Sequence, residues 1–296
     1  MQAFELLRAE NSQQAVELLA ANGPAVKALA GGTDLMADYK TDTHGIKAIV
    51  DISRADDLRG ISITDEGLRI GALVTHSEIM ASPVIRDLFP ALVDAAHTIG
   101  AVQTRNLGTL GGNLVTCVPS MDSGPALIAL EATVTIAGVG GTREMSLADM
   151  FVAQRKTALK FDELLVAITI PTRNVGKPAA FLKFGLRKGQ ALALVNAAAS
   201  FWVDEKTNTF RDPTVALGAV APTVIRSPNA EKYLAGRAIS EEAMSEAGRL
   251  AAGDARPISD FRASADYRRE LVAVLTRRAL AAALELSQAK QKETAT

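Results

Sequence analysis

The segment at residues 104–116 reads TRNLGTLGGNLVT, and its glycines constrain the fold of this chain more than any other feature. Gly108, Gly111 and Gly112 weaken a helix or a strand, so we expect a positive φ or a close approach to the backbone there. Another glycine segment, AGGTDLM, begins at Ala30 directly after a predicted strand, so it is the first along the chain and residues 104–116 are the second. Each segment joins glycines to a threonine, a composition that can present backbone N–H groups to an anion such as a pyrophosphate.

Neither glycine segment matches a common phosphate-binding motif. The sequence contains no G-x-G-x-x-G opening a helix after a strand and no G-x-x-x-x-G-K-[ST] at these positions, so neither a Rossmann fingerprint nor a P-loop is indicated. A Gly-Gly pair taken alone most simply marks a turn. Two such pairs, each beside a threonine and a short polar residue, favour a cradle for a diphosphate over two unrelated turns.

The composition is that of a globular chain of two or three lobes, with 296 residues, 48% hydrophobic and 22% charged. Thirty-two Lys and Arg balance 33 Asp and Glu to a net charge of −1, which gives no electrostatic reason to expect nucleic acid or an anionic membrane. The N-terminus lacks the basic and then apolar pattern of a signal peptide, and no apolar run is long enough to span a bilayer. We therefore expect a cytoplasmic location without membrane insertion.

The residues that most often hold metals are few and scattered. The single cysteine, Cys117, excludes an internal disulfide and an iron–sulfur or thiolate zinc site built from this chain alone. His44, His76 and His97 lie on separate segments without ligand spacing. We assign no metal ligand and no catalytic residue to the chain.

Periodicity and turn residues predict the order of the elements. A helix should follow Asn11, strands should lie near 26–29, 47–53 and 163–171, and hairpins should turn near 65–67 and 138–141. One helix is expected over 82–100 despite Pro90. After a polar linker at 171–178, strands precede three helices, the last with a frayed end and a solvated basic face. That face is formed by Arg268, Arg269, Arg277 and Arg278.

Three segments resemble those of a known family. AGGTDLM, QTRNLGTLGGNLVT and the downstream PSMDSGP closely resemble the FAD-binding medium subunits of molybdenum hydroxylases, the family of xanthine, carbon monoxide and nicotinate dehydrogenases. KFGLRKGQALALVNAA and ALGAVAPTVIR extend the resemblance over essentially the whole chain. It implies an α+β fold: a two-subdomain FAD-binding half of the vanillyl-alcohol-oxidase/xanthine-dehydrogenase type at 1–174, divided near 57, and a C-terminal domain of β-sheet and helices at 178–287.

The resemblance also implies a set of cofactor-binding positions, carried over residue by residue. The set is Leu29, Ala30, Gly31, Gly32, Thr33, Asp34, Leu35, Ile99, Thr109, Gly111, Gly112, Asn113, Asp122, Leu165 and Lys183. The glycine segments would contact the pyrophosphate and ribose, so we expect Gly111→Val to abolish retention of FAD. Asp122 would accept a hydrogen bond from the flavin or ribityl group, with capping of the following helix as the alternative. Many relatives carry an acid near position 191, where this chain has Ala191.

The function implied by the resemblance is electron transfer within a heteromeric complex. This chain would hold FAD, a large subunit would hold molybdopterin, and a small subunit would hold 2Fe-2S clusters. These three chains would form a heterotrimer, and two heterotrimers would form a dimer. Electrons would pass from the clusters through FAD to an acceptor such as NAD, and the xanthine or N-heterocycle dehydrogenase branch is favoured. Two alternatives stay open: a self-contained flavin oxidase or dehydrogenase, and a non-catalytic nucleotide-binding scaffold.

Overall fold

The computed structural model describes residues 4–41 and 45–294, and it begins with a small α/β unit. The elements of this first unit are β1 (Glu5–Arg8), α1 (Ser12–Asn22), β2 (Val26–Leu29), α2 (Leu35–Thr41) and β3 (Ala48–Asp51). The three strands form one parallel sheet in the order β1-β3-β2. Their carboxyl ends share one edge, which is where ligands bind in open α/β sheets.

Helix α1 forms where the sequence predicts it. The Asn11 side chain accepts a hydrogen bond from the backbone N–H of Gln14, and Gly23, at φ +73°, ends the helix. Ala15, Val16 and Leu19 form its buried face, which packs against β2 and β3. The helix thereby covers one face of the parallel sheet.

The second unit combines an antiparallel sheet with a group of short helices. Its strands are β4 (Ile61–Thr64), β5 (Gly67–Gly71), β6 (Thr133–Gly138), β7 (Gly141–Ser146), β8 (Phe151–Ala153), β9 (Lys156–Thr157) and β10 (Leu164–Pro171). Its helices are α3 (His76–Ala81), α4 (Pro83–Leu88), α5 (Pro90–Thr98), α6 (Val102–Leu107), α7 (Leu110–Thr116), α8 (Ser123–Ala129) and α9 (Leu147–Met150). Five strands pair in the order β4-β5-β10-β6-β7, and both predicted hairpins are confirmed.

The prediction of a single helix over 82–100 is wrong, because the chain forms two helices there. Phe89 lies between α4 and α5 with ψ +55°, outside the helical region, and Pro90 is the first residue of α5. A proline has no N–H to donate and clashes with the preceding turn, so it starts a helix more readily than it continues one. The buried Phe89 side chain fixes the bend in the core.

The second glycine segment is also helical and not a loop. Thr109 is the N-cap of α7, and its hydroxyl oxygen accepts a hydrogen bond from the Gly112 N–H at 3.0 Å. Gly108 has φ −63°, so no left-handed conformation explains the glycine there. The close approach that we expected does occur: a β-carbon at Gly111 would lie 2.7 Å from the Ala72 β-carbon.

The third unit is an antiparallel sheet covered by helices. Its elements are β11 (Ala179–Gly185), β12 (Ala193–Asp204), β13 (Thr209–Gly218), β14 (Ile225–Arg226), α10 (Pro228–Leu234), α11 (Glu241–Asp254) and α12 (Ala265–Thr294). The strands pair in sequence order. Helix α12 continues to Thr294 where we expected fraying. The α+β fold expected from the sequence is confirmed.

Strand β12 is buried on both faces, which explains its continuous apolar sequence. Ala197 and Ala199 point into the core of the third unit, whereas Ala198, with Ala216 of β13, joins the core of the second. Helix α8 packs on one face of this sheet and α12 on β11 and β12. The second and third units therefore share one packed interface.

None of the helices described crosses a membrane, since none is both long and apolar enough.

Candidate functional site

A cleft of about 440 Å³ lies where the two glycine segments meet the carboxyl edge of the parallel sheet. This volume falls in the range of small-molecule sites. The residues that line it come from both glycine segments and from the segments after β3 and β5: Ala30, Gly31, Ser53, Arg59, Leu73, Thr75, Ser77, Glu78, Asn106, Leu107 and Thr109. Of the sequence-predicted positions, the structure brings Ala30, Gly31 and Thr109 together in this cleft.

The two glycine segments are in direct contact. A β-carbon at Gly31 would lie 1.8 Å from the carbonyl oxygen of Leu107, so only glycine fits there. A β-carbon at Gly108 would lie 3.5 Å from the Thr33 hydroxyl oxygen. The sequence-distant segments thus form one continuous wall.

The first glycine segment presents unused donors. In the described part of the chain, the backbone N–H groups of Gly31, Gly32 and Thr33 donate to no protein acceptor. Gly32 has φ +70°, a conformation that favours glycine and turns successive N–H groups toward one side. Leu29 ends β2 before this loop, and Leu35 begins α2 after it, with Asp34 between. The loop has the donor set that an oxyanion requires.

The second glycine segment contributes differently from the prediction. The N–H groups after Thr109 are engaged: Leu110 donates to the Val74 carbonyl at 2.8 Å, and Gly111 to that of Ala72 at 2.9 Å. Since the Gly112 N–H is bound by Thr109, this segment offers the cleft the Thr109 hydroxyl hydrogen and not a row of open amides. A valine at position 111 would clash with Ala72, and a loss of FAD in that variant would report disturbed packing.

A buried polar cluster lies beyond the second segment. Lys183 of β11 donates to Asp122 at 2.5 Å and to the Thr98 carbonyl at 3.1 Å. Asn196 of β12 donates to the other oxygen of Asp122 at 2.9 Å. Burial raises the pKa of Asp122, and the neighbouring Lys183 charge opposes that rise. Asp122 occupies the N-cap position of α8 but makes no capping hydrogen bond, so its oxygens serve the cluster instead.

The cluster is connected to the second glycine segment. The Asn113 side-chain oxygen of α7 accepts a hydrogen bond from the Ser123 hydroxyl at 2.6 Å, directly beside Asp122. Ile99 follows Thr98 at the end of α5 and is half-buried. A continuous series of contacts therefore runs from Asn113 to Ile99 through the Asp122–Lys183 pair.

Leu165 lies apart from these contacts. It is 3% exposed in β10, opposite Ile136 of β6, and belongs to the core of the second unit. Its place against a flavin stays a prediction from the resemblance.

The remaining histidine and cysteine side chains are dispersed. Cys117 is buried, and its thiol donates to the Ala153 carbonyl at 3.3 Å. Burial lowers the pKa of His76 to about 4. His44 lies outside the described residues. Throughout residues 4–41 and 45–294, no three His, Cys, Asp or Glu side chains are grouped to hold a metal ion.

Eight cleft residues are absent from the predicted cofactor positions: Ser53, Arg59, Leu73, Thr75, Ser77, Glu78, Asn106 and Leu107. They come from separate segments that meet only in the folded chain, so no spacing in the sequence reveals them. The nearest signal was the pattern T-x-x-E at Thr75, a capping box that the structure forms at α3. That pattern predicts the start of a helix and not a binding site.

Two protein-family models match the chain. Residues 2–173 match the FAD binding domain in molybdopterin dehydrogenase, and residues 180–283 match the CO dehydrogenase flavoprotein C-terminal domain. The glyceraldehyde dehydrogenase medium chain of Sulfolobus acidocaldarius is 31% identical, covering 93% of this chain and 96% of that protein. The putative xanthine dehydrogenase FAD-binding subunit of Escherichia coli K12 is 30% identical, covering 96% and 97%.

The fold is likewise similar to that of solved structures. A chain in the structure of carbon monoxide dehydrogenase from Hydrogenophaga pseudoflava, lacking the Mo-pyranopterin moiety of the molybdenum cofactor, superposes with a TM-score of 0.92. The two chains are 30% identical, and the match covers 96% of this chain and 98% of that one. Similarity on this scale extends to both halves of the molecule.

Proposed function

Because the chain belongs to the family of FAD-binding medium subunits of molybdopterin dehydrogenases, we propose that it is the electron-transfer flavoprotein of a heteromeric oxidoreductase. In this role it accepts electrons from 2Fe-2S clusters of a small subunit and passes them to an acceptor such as NAD. A large subunit carries molybdopterin and oxidises the organic substrate. When bound, FAD supplies one-electron exchange with such clusters and hydride transfer to a nicotinamide.

The observation that carries the proposal is the set of unused N–H groups in the loop that enters the cleft at Ala30 and Gly31. Gly31, Gly32 and Thr33 supply three backbone donors, and Thr109 adds a hydroxyl from the second glycine segment, which contacts this loop. Glycine at position 31 lets the segments meet and brings the backbone close to a ligand. This donor set fits the pyrophosphate of FAD. The remaining cofactor positions are proposed from the resemblance.

The Asp122–Lys183 pair suits the flavin end of the cofactor. The Lys183 ammonium has three donor hydrogens, of which Asp122 and the Thr98 carbonyl take two. The third can donate to a ring oxygen or nitrogen. Because Asp122 and Asn196 hold the pair in a buried setting, the positive charge stays at a fixed position. The pair would orient the ring and favour added negative charge on it.

Finer features of the proposal rest on the resemblance of the residues. We favour the xanthine or N-heterocycle branch, although relatives of the carbon monoxide branch are equally similar in sequence. We further propose a dimer of heterotrimers, a cytoplasmic location, and domain limits of 1–174 and 178–287. The substrate pocket would lie on the large subunit, so this chain alone would hydroxylate nothing.

The experiment is an absorption spectrum with metal analysis, first on the complex purified with its natural partners and then on this chain alone. We expect FAD to stay with this chain while iron and molybdenum stay with the others. Addition of NAD to the reduced complex should reoxidise the flavin. A chain that binds no FAD when supplied with it would contradict the proposal and support a scaffold. Substrate turnover by the isolated chain would support a self-contained flavoenzyme.

A further inference from the structure

The cleft contains one cation whose role the glycine segments do not explain. Arg59 follows the short 3₁₀ turn at Asp56–Leu58, and among the described residues that line the cleft it is the only Lys or Arg. Its guanidinium donates from Nη2 to the Ser53 carbonyl at 2.7 Å. Ser53 also lines the cleft, so this bond holds the guanidinium beside it.

The other polar contact of Arg59 leaves most of its donors available. Its Nε lies 3.7 Å from an oxygen of Asp56, whose side chain is 93% exposed. An ion pair so exposed contributes little to the position of either group. Arginine has five N–H donors in a planar fork that matches phosphate oxygens. The fork of Arg59 therefore keeps donors for a ligand.

The acid in the cleft does not cancel this charge by direct pairing. Glu78 accepts hydrogen bonds from both the N–H and the hydroxyl of Thr75 at 2.7 Å each, as the capping box of α3. No ion pair forms between Glu78 and Arg59 in the described structure. The Glu78 carboxylate thus binds the first turn of α3, and the Arg59 guanidinium forms no ion pair with it.

Further donors surround the same space. The Asn106 side-chain oxygen accepts from the Ser77 hydroxyl at 2.5 Å, which leaves the Asn106 amide hydrogens to donate. The Ser53 hydroxyl makes no hydrogen bond to another described residue. The unused N–H groups of Gly31 and Gly32 belong to the loop that enters this cleft at Ala30 and Gly31. Such a donor-rich set is suited to phosphate oxygens rather than to a neutral ring.

We propose that Arg59 binds the pyrophosphate of the FAD and supplies positive charge beside the backbone N–H groups of the first glycine segment. The proposal rests on the proposed function, since it assigns one more residue to the same cofactor site. Backbone N–H groups position the phosphates, whereas the guanidinium offsets their charge. Arg59 also comes from the segment that joins the first unit to the second, so the phosphates are held from three sequence-distant segments.

The test is equilibrium titration of FAD into the full-length apoprotein, followed by flavin fluorescence. Arg59→Gln should raise the dissociation constant roughly ten- to a hundred-fold, the range for loss of a charged hydrogen bond, and Arg59→Lys should raise it less. The matched control is Arg54→Gln, which removes an arginine five positions away. Arg54 is 63% exposed, pairs at 3.9 Å with Glu10 and lies outside the cleft. It should leave the dissociation constant unchanged.

Two further readouts identify the phosphate as the partner. Raising salt from about 50 mM to about 500 mM should weaken FAD binding to the wild type more than to Arg59→Gln, since salt screens a charge pair. The inhibition constant of ADP against FAD binding should be higher for the variant than for the wild type. The inhibition constant of adenosine should be the same for both proteins. Equal loss of ADP and adenosine would overturn the proposal and place Arg59 against the adenine.

The outcomes of this test distinguish an error in the assignment of Arg59 from an error in the proposed function. If the wild type binds FAD and Arg59→Gln binds it as tightly as Arg54→Gln does, the assignment of Arg59 is wrong and the proposed function stands. If the wild type binds no FAD, both are overturned. Circular dichroism and a melting curve for each variant separate a loss of binding from a loss of folding.

Discussion

At position 31 the side chain is limited to a hydrogen atom by the neighbouring backbone. A β-carbon there would lie 1.8 Å from the Leu107 oxygen and 2.6 Å from its carbonyl carbon. Backbone atoms cannot rotate away as a flexible side chain can. We expect Gly31→Ala to lower the free energy of unfolding by about 1–3 kcal/mol, the usual cost of overpacking.

The matched control is Gly140→Ala, in the turn between β6 and β7. A β-carbon there meets nothing within 4 Å, and Gly140 has no positive φ. Denaturant unfolding of both variants would measure the difference. Because Gly31 also lines the cleft, its variant should bind FAD more weakly than the control does. Equal stability and equal FAD affinity in the two variants would contradict the tight contact between the glycine segments.

At the scale of elements, Arg268 shows how helix α12 is attached to the sheet. We predicted a solvated basic face for this helix, and that prediction is wrong for Arg268, which is 3% exposed. Its guanidinium donates to the Leu194 carbonyl of β12 at 2.7 Å and to Asp260 at 2.9 Å. One turn of the helix is therefore fixed to the strand and to the preceding loop by one side chain.

Removal of this arginine should destabilise the third unit. We expect Arg268→Ala to lower the free energy of unfolding by about 2–4 kcal/mol, because a buried carbonyl and a carboxylate both lose a charged donor. The control is Arg269→Ala on the next position, where the arginine pairs with Asp266, which is 91% exposed. That change should stay within about 0.5 kcal/mol. Chemical denaturation measures the free energy of unfolding of both variants. A similar loss of stability in the two would contradict the anchoring role of Arg268.

Most strands and helices could be read from the sequence, and the failures have physical causes. Apolar runs bounded by turn residues predicted β2, β3 and both hairpins because those elements depend on local pattern. Helix α7 was missed, since two glycines weaken helix propensity. In the folded chain Gly111 packs on Ala72, and a β-carbon at Gly112 would lie 2.9 Å from the Thr109 hydroxyl oxygen. The N-cap signal of Thr109 was present in the sequence, but the glycines beside it favoured a loop.

The candidate site was only partly accessible to sequence reasoning. Gly31 and Thr109 carry recognisable local composition, and the structure places both in the cleft. Arg59 carries none, and Asn106 stands beside the glycines but in helix α6, because an exposed arginine or asparagine is ordinary on any protein surface. Their proximity arises from the folding of separate segments, which single-sequence patterns do not encode.

At the scale of the whole molecule, Lys177 lies in the linker between the second and third units. It is 1% exposed, and its ammonium donates to the Asp212 carbonyl of β13 at 2.7 Å. Burial lowers its pKa from 10.5 to about 8, and the charges of Glu131 and Asp212 partly oppose that fall. The folded protein therefore releases this proton at a lower pH than the unfolded chain does.

The sign of the pH dependence follows from this difference. Between about pH 8 and 10.5 the unfolded chain binds more protons, so the contribution of Lys177 to the free energy of unfolding rises with pH. The rise should reach at most about 3 kcal/mol. Lys177→Met should flatten the curve over this range, whereas Lys27→Met, at an exposed lysine of β2, should keep the wild-type slope. Chemical denaturation across this pH range measures the free energy of unfolding as a function of pH. Parallel curves for the Lys177 variant and the wild type would contradict the lowered pKa of Lys177.

The two buried faces of β12 limit how a gene for this protein could be divided. A break within the linker would yield two polypeptides, one exposing the apolar surface of α8 and the other exposing Ala198 and Ala216. Exposed surfaces of this kind favour aggregation during synthesis. Gene fission at this point should therefore be selected against, and the two units should be inherited as one reading frame.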